Sequence, residues 1–156
     1  MSSLNTFFIE WEDQYSVGVP AIDQQHRYLI TIIRELQEAM VAGRTAEVLS
    51  TLIHKLVTYT NYHFTYEETL YHKQGYAEIE DHKKLHGRMV AQVMKMEEAA
   101  SAGRLRTGAP LIAFLKRWLT DHILGEDQQA FQKVLARSAP GATVPSGDKV
   151  QSADKN

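Results

Sequence analysis

The sequence contains two pairs of residues spaced four apart, and the two members of each pair could bind the same metal ion. His63 and Glu67 form the first pair, and His82 and His86 form the second. In an α-helix this spacing turns the second side chain only about 40° from the first, so both members of a pair can face one ion. Because the chain has no cysteine, the pairs predict coordination of iron, manganese or zinc by imidazole and carboxylate groups.

Apolar residues on the same helical faces predict that both pairs point into the protein. Ahead of His63 they are Leu52, Leu56 and Tyr59, and beyond His86 they are Met89, Val93 and Met96. The same test adds His26, which is in line with Ile22, Leu29 and Ile33. It also adds His122, which is in line with Leu111, Leu115, Trp118 and Leu119. Four helices are therefore each expected to present histidine to a common core.

A metal ion explains why so many polar groups would be buried together. Burying imidazoles and carboxylates without partners costs several kcal/mol apiece, and coordination removes that cost. The alternative is a hydrogen-bonded polar network without metal, but such a network gives no reason for all four helices to contribute histidine. His54 and His72 each lie nine residues from His63, half a helical turn away, and are expected to face solvent.

Helical spacing leaves the last ligand undecided. Glu126 lies four residues after His122, whereas Asp127 lies five residues after it. On an ideal α-helix the fifth residue points about 140° away. Spacing alone gives no preference for Asp127.

Four helical stretches must position these side chains. Apolar periodicity predicts them over 22–40, 46–73, 77–102 and 110–136. The expected signals at their ends are caps at Asp23 and Thr45, terminating glycines at Gly43, Gly75 and Gly103, and a first-turn proline at Pro110. Short connections between long helices force antiparallel neighbours. The predicted fold is therefore all-α, an up-down-up-down antiparallel four-helix bundle.

Length and composition indicate one bundle domain with two extensions. The 156 residues suit a single domain, predicted over 1–137 with an aromatic N-terminal arm packed on the bundle. Residues 138–156 are rich in Pro, Gly, Ser and charge, which predicts a disordered tail. A net charge of -2 argues against nucleic acid as a partner. With no secretory signal or membrane span apparent, a cytoplasmic protein is predicted.

The complete set of residues resembles the hemerythrin signature, as found in single-domain bacterial members of that family. The matching strings are Ile22-Asp23-Gln24-Gln25-His26, H-x-x-x-E at His63, H-x-x-x-H at His82 and H-x-x-x-x-D at His122. Order, spacing and residue type agree across about residues 9–130. The resemblance selects Asp127 over Glu126, a choice that spacing could not make.

The resemblance implies a non-haem di-iron centre that binds dioxygen. It would place His82, His86 and His122 on one iron, His26 and His63 on the other, and Glu67 and Asp127 as bridges. It also implies an apolar pocket around the position where dioxygen binds, formed by Leu29, Trp118, Leu119 and Ile123.

The ligand set favours a dioxygen carrier, store or delivery protein over an enzyme. Ferritin-like di-iron enzymes use four glutamates with two histidines, whereas five neutral imidazoles and two carboxylates stabilise high-valent iron less well. The alternatives left open are an oxygen-sensing module and a di-iron oxidase acting on a small molecule. A protein recipient or partner is also left open, since the sequence does not identify one.

Overall fold

The chain forms four long helices joined by short turns, and consecutive helices run antiparallel. The computed structural model describes residues 8–105 and 107–138, and within those residues it contains no β-strand. The elements are a short 3₁₀ turn at Asp13–Tyr15, α1 (Pro20–Val41), α2 (Thr45–Lys73), α3 (Ile79–Ser101), α4 (Ala109–Arg117), a π-helical segment (Trp118–Asp127) and α5 (Gln128–Ser138). The last three run continuously as the fourth helix, and the predicted all-α four-helix bundle is confirmed.

The predicted helix ends are partly right. Gly43, Gly75 and Gly103 follow the first three helices with φ of 68°, 64° and 71°, the left-handed conformation that closes a helix. Pro110 lies in the first turn of α4, as predicted. The two capping predictions are wrong, because neither α1 nor α2 has a side-chain cap.

Proline takes the place of a side-chain cap at the start of α1. Pro20 is its first residue and has no N–H that would need an acceptor there. The Asp23 carboxylate instead accepts hydrogen bonds from the Val17 backbone N–H at 2.9 Å and from the Ser16 hydroxyl at 2.5 Å. Asp23 therefore fastens the N-terminal arm to the bundle. Thr45 is the first residue of α2 and not its cap.

Two apolar clusters lie on either side of the predicted metal ligands. On α1, His26 is flanked by Ile22 of one cluster and Leu29 of the other. On the fourth helix the predicted ligands fall between Leu119 and Ala130, which again belong to different clusters. Each helix thus carries its polar groups in a band between two apolar layers, which fixes the depth of the site in the bundle.

The described part of the N-terminal arm packs on the bundle, as predicted. Tyr15 and Val17 are buried, and the Ile9 backbone N–H donates to Gln37 Oε1 at 2.9 Å. Residues 1–7 and the predicted disordered tail beyond Ser138 lie outside the described residues, so the domain boundaries stay a prediction. None of the described helices has the length and apolar character needed to cross a membrane.

Replacement of Gly43 by alanine is expected to lower the free energy of unfolding by about 1–2 kcal/mol. A Cβ at Gly43 would meet nothing within 4 Å, so the loss would come from its φ of 68° alone. Gly87 is the matched control, because it lies within α3 and also has open space around it. Gly87→Ala should raise stability by about 0.5–1 kcal/mol. Urea unfolding measures both changes, and equal effects would contradict the conformational argument.

Candidate metal centre

Seven predicted ligands from all four helices converge in the interior. They form two groups that share both carboxylates, and within each group one ligand atom per residue lies within 4.8 Å of all the others. All seven are at most 4% exposed. One group consists of Glu67, His82, His86, His122 and Asp127, and the other of His26, His63, Glu67 and Asp127.

The group with three histidines is tightly spaced. His82 Nε2 lies 2.9 Å from Glu67 Oε1 and 3.1 Å from Asp127 Oδ1. His86 Nε2 lies 3.1 Å from His122 Nε2 and 3.3 Å from Glu67 Oε1, and His122 Nε2 lies 3.1 Å from Asp127 Oδ1. Neighbouring ligands at right angles around an ion, each about 2.1 Å from it, are about 3 Å apart. The spacing is that of ligands arranged around one ion.

The second group uses the other oxygen of each carboxylate. His26 Nε2 lies 3.2 Å from both His63 Nε2 and Asp127 Oδ2, and 4.0 Å from Glu67 Oε2. His63 Nε2 lies 3.4 Å from Glu67 Oε2. Each carboxylate therefore directs one oxygen to each group, which is the arrangement of a carboxylate that bridges two ions.

The π-helical segment explains how Asp127 reaches the site. In a π-helix the backbone N–H bonds to the carbonyl five residues earlier, so residues five apart lie nearly above one another. Trp118–Asp127 is π-helical, which brings Asp127 onto the face of His122, whereas Glu126 is exposed. The 140° divergence inferred from ideal α-helical geometry is therefore wrong for this pair.

Two hydrogen bonds set the direction in which imidazoles offer their lone pairs. His63 Nδ1 donates to Gln25 Oε1 at 2.7 Å, and His86 Nδ1 donates to Glu68 Oε1 at 2.8 Å. A neutral imidazole whose proton is on Nδ1 has a free lone pair on Nε2. Both Nε2 atoms point into the site, so these outer partners prepare the rings to bind a cation.

Unpaired buried atoms show that a cation fits the site. His26 Nδ1, Glu67 Oε2 and Asp127 Oδ2 are fully buried and make no hydrogen bond, although each of the two oxygens lies within 4 Å of an imidazole nitrogen. Unsatisfied buried oxygens are costly. Cations placed between the two oxygens and the histidines would satisfy both.

The pKa values of the acids and of His63 favour ligands in their metal-binding forms. Burial lowers the pKa of His63 to about 4. Burial and the charge of Asp127 would raise the pKa of Glu67, but the neighbouring His82 and His86 imidazoles outweigh them and lower it to about 2. The pKa of Asp127 is held well below its ordinary value, because its interactions with His122 outweigh burial. At neutral pH His63 is neutral and both acids are ionised.

His82 differs from His63 in its protonation. Burial would lower the pKa of His82, but hydrogen bonds with Asp127 and Glu67 outweigh it and raise the pKa to about 9. At neutral pH His82 therefore carries a proton. A cation bound there takes the place of that proton, because a metal ligand must be deprotonated.

Four residues around the ligands did not emerge from the sequence. Three of them, Gln25, Phe64 and Glu68, are next to a ligand in the sequence. On a helix, adjacent residues point about 100° apart, so residues chosen for sharing a face with the ligands did not include them. The fourth, Tyr71, lies four residues after Glu67 and therefore on the same helical face, so the spacing could have identified it.

Phe64 and Tyr71 pack directly on the ligands. The Phe64 ring stacks on the His86 ring with centroids 3.7 Å apart and planes 2° apart. The Tyr71 hydroxyl donates to Glu67 Oε1 at 3.0 Å, and its ring meets the His82 ring edge to face at 4.8 Å. These contacts restrict the rotation of ligands in the group of three histidines.

The two remaining histidines face outward, as predicted. The His54 side chain is 75% exposed and lies 2.9 Å from Glu97. His72 is also exposed. Both provide controls for substitutions at the site.

The four predicted pocket residues are all buried. Leu29, Trp118, Leu119 and Ile123 are at most 6% exposed, and the Trp118 ring meets the His26 ring edge to face at 6.1 Å. Leu29 and Trp118 line a small inner cavity. An open cleft that reaches His122 shares Met89, Phe114 and Trp118 with this cavity.

Substitution of Gln25 is expected to weaken metal binding beside His63. Gln25→Leu removes the acceptor of the His63 Nδ1 proton and frees the ring to turn, so affinity there should fall by about 10- to 100-fold. Gln24→Leu is the control, because Gln24 is exposed next to it. Competition with a chelator measures the affinity. Equal affinities in the two variants would show that Gln25 does not position His63.

Comparisons with known proteins agree with this geometry. The family model described as hemerythrin HHE cation binding domain matches residues 17–134. A bacteriohemerythrin of Pseudomonas aeruginosa PAO1 is 34% identical over 117 residues, 75% of each chain, and one of Stenotrophomonas maltophilia is 34% identical over 126 residues, 81% of each chain. A solved wild-type hemerythrin superposes with a TM-score of 0.73 at 24% identity, covering 81% of this chain and 97% of that one.

Proposed function

The chain belongs to the hemerythrin family, and from that premise we propose that it binds dioxygen reversibly at a non-haem di-iron centre. The observation that carries the proposal is the pair of overlapping ligand groups with Glu67 and Asp127 in common. Seven ligands, two of them shared, exceed what one octahedral ion accepts. Two ferrous ions held there would supply the two electrons that dioxygen takes up.

The proposed ligand assignment follows the two groups. His82, His86 and His122 would hold one iron, and His26 and His63 the other. Each carboxylate gives one oxygen to each side. The side with two histidines therefore has one protein ligand fewer, and this is where a small ligand has room to bind.

Apolar side chains surround the side with two histidines. Trp118 packs against His26, and Leu29 lies one turn after His26 on α1. We assign the dioxygen pocket to these residues together with Leu119 and Ile123, all of which are buried. Their role is to exclude water, which would otherwise supply protons and promote side reactions.

The surroundings of the site favour carriage over oxidation of a substrate. Among the described residues, Glu67 and Asp127 are the only buried carboxylates, and both serve as ligands. An oxidase would need a further acid or base beside the open position to move protons. The proposal therefore includes a non-enzymatic role as a cytoplasmic carrier or store that delivers dioxygen to an unidentified protein recipient.

An optical spectrum tests the proposal. The iron-loaded, reduced protein should develop a charge-transfer band on exposure to air, and the band should disappear when oxygen is removed. Repeated cycles should restore the band to the same height. Failure of the iron-loaded protein to change its spectrum in air, or a change that oxygen removal does not reverse, would contradict reversible binding.

A further inference from the structure

An uninterrupted row of tyrosine rings lies on the outer surface of α1 and α2. The ring centroids of Tyr28 and Tyr59 are 4.2 Å apart, those of Tyr59 and Tyr62 are 5.6 Å apart, and those of Tyr62 and Tyr66 are 6.3 Å apart. Tyr28, Tyr62 and Tyr66 are 37%, 55% and 37% exposed. They are half of the six large hydrophobic side chains exposed among the described residues, and a concentrated exposed patch of this kind marks a binding surface.

The tyrosine rings line two adjoining hollows. Tyr62 and Tyr66 belong to both, and the hollows have volumes of about 680 and 350 Å³. These volumes match those of small-molecule sites, roughly 300–1,000 Å³. We call the combined surface the tyrosine groove and define it by Gln25, Arg27, Tyr28, Tyr62, Tyr66 and Lys73.

The charge of the tyrosine groove favours an anion. Arg27, whose guanidinium lies 4.6 Å from the centroid of the Trp11 ring, lines one hollow, and Lys73 lines the other. No Asp or Glu is among the described residues that line either hollow. Tyrosine faces favour a flat aromatic ring. The combination fits a planar aromatic molecule that carries a phosphate.

Gln25 connects the tyrosine groove to the metal centre. It lines the larger hollow, and its Oε1 accepts the Nδ1 proton of His63 at 2.7 Å. One side chain and one hydrogen bond therefore separate a ligand in the groove from the imidazole of the side with two histidines. A short path of this kind is suited to moving electrons.

We infer that the tyrosine groove binds flavin mononucleotide and that the reduced flavin returns electrons to the oxidised centre. The inference rests on the proposed function, because a dioxygen carrier that has autoxidised must be reduced before it binds again. One reduced flavin gives up two electrons and two protons and becomes oxidised flavin. The electrons convert two ferric ions to ferrous ions, and the protons leave to solvent through the open groove.

Binding is tested by titrating flavin mononucleotide into the iron-loaded protein and following the flavin fluorescence. Saturable quenching is expected. Tyr62→Ala should weaken binding about tenfold, which is about 1.4 kcal/mol, and Lys73→Glu should weaken it through charge. Met94→Ala is the control, since Met94 is 53% exposed on α3 outside the groove. Absence of saturable binding, or equal affinity of Tyr62→Ala and Met94→Ala, would overturn the inference.

Electron transfer is tested by mixing the ferric protein with reduced flavin mononucleotide in the absence of oxygen. The reduction rate should saturate with flavin and should be about tenfold slower in Tyr62→Ala at low flavin concentration, in proportion to the weaker binding. Reduction by dithionite, which has no aromatic ring, should be equal in both proteins. Equal rates with flavin would show that electrons do not enter through the groove. The dioxygen spectrum of the same samples reports separately on the proposed function, since Tyr62 is not a ligand.

Discussion

His82→Ala is expected to reduce the iron content from the proposed two ions per chain to one at most. His82 Nε2 lies 2.9 Å from Glu67 Oε1 and 3.1 Å from Asp127 Oδ1, so its loss removes a ligand and also releases two carboxylates from their partner. Leaving such buried charges uncompensated is strongly unfavourable. Elemental analysis after anaerobic loading and gel filtration measures the content.

Two surface substitutions separate this effect from a general loss of histidine. His54→Ala and His72→Ala should keep both irons, because both side chains are exposed. Helical circular dichroism of every variant shows whether the bundle has formed. A folded His82→Ala protein with full iron content would refute the ligand assignment, and a wild-type protein that saturates at one iron would refute the di-iron proposal.

The fold and most of the site could be predicted from the sequence, because the same local pattern encodes both. Apolar residues at helical spacing define the inward face of each helix, and a histidine in line with Leu29 or Leu115 must point the same way. Glycines mark the ends sharply, since a side chain at Gly43 would be strained with φ of 68°. Patterns of this kind need no knowledge of how the helices pack.

Asp127 could not be predicted from spacing because its position depends on a departure from α-helical geometry. Ten residues of π-helix change the angular register after Trp118. The spacing of apolar residues does not reveal that change. Asp127, five residues after His122, could therefore be identified only through the resemblance to a family. π-helical turns are rare and occur often at functional sites, and here the turn brings a carboxylate between two groups of histidines.

The outer partners of the histidines were missed for a related reason. Gln25 and Glu68 reach His63 and His86 from another helix, at 2.7 and 2.8 Å. Contacts between helices depend on how far each helix is rotated against the next. Gln25 offers a neutral amide to His63, and Glu68 offers a carboxylate to His86. The two sides of the metal centre therefore differ in the charge beside a histidine as well as in the number of histidines.

Leu29→Ala is expected to speed autoxidation of the iron-loaded protein about tenfold, equivalent to a barrier lower by about 1.4 kcal/mol. Leu29 is 1% exposed and lines the inner cavity with Trp118. That cavity shares three lining residues with the cleft that reaches His122. Removing most of the Leu29 side chain enlarges this cavity beside Trp118, which packs on His26, so water and protons should gain access to the side with two histidines.

Leu36→Ala is a closely matched control for that prediction. Leu36 is also 1% exposed on α1, and seven residues place it on nearly the same face about 10 Å further along the helix. Both changes should cost about 2–5 kcal/mol of stability, so stability cannot distinguish packing from protection of the site. The autoxidation rate can, because only Leu29 lies one turn from His26. If both variants autoxidise at the same rate, Leu29 contributes to the core alone and the pocket lies elsewhere.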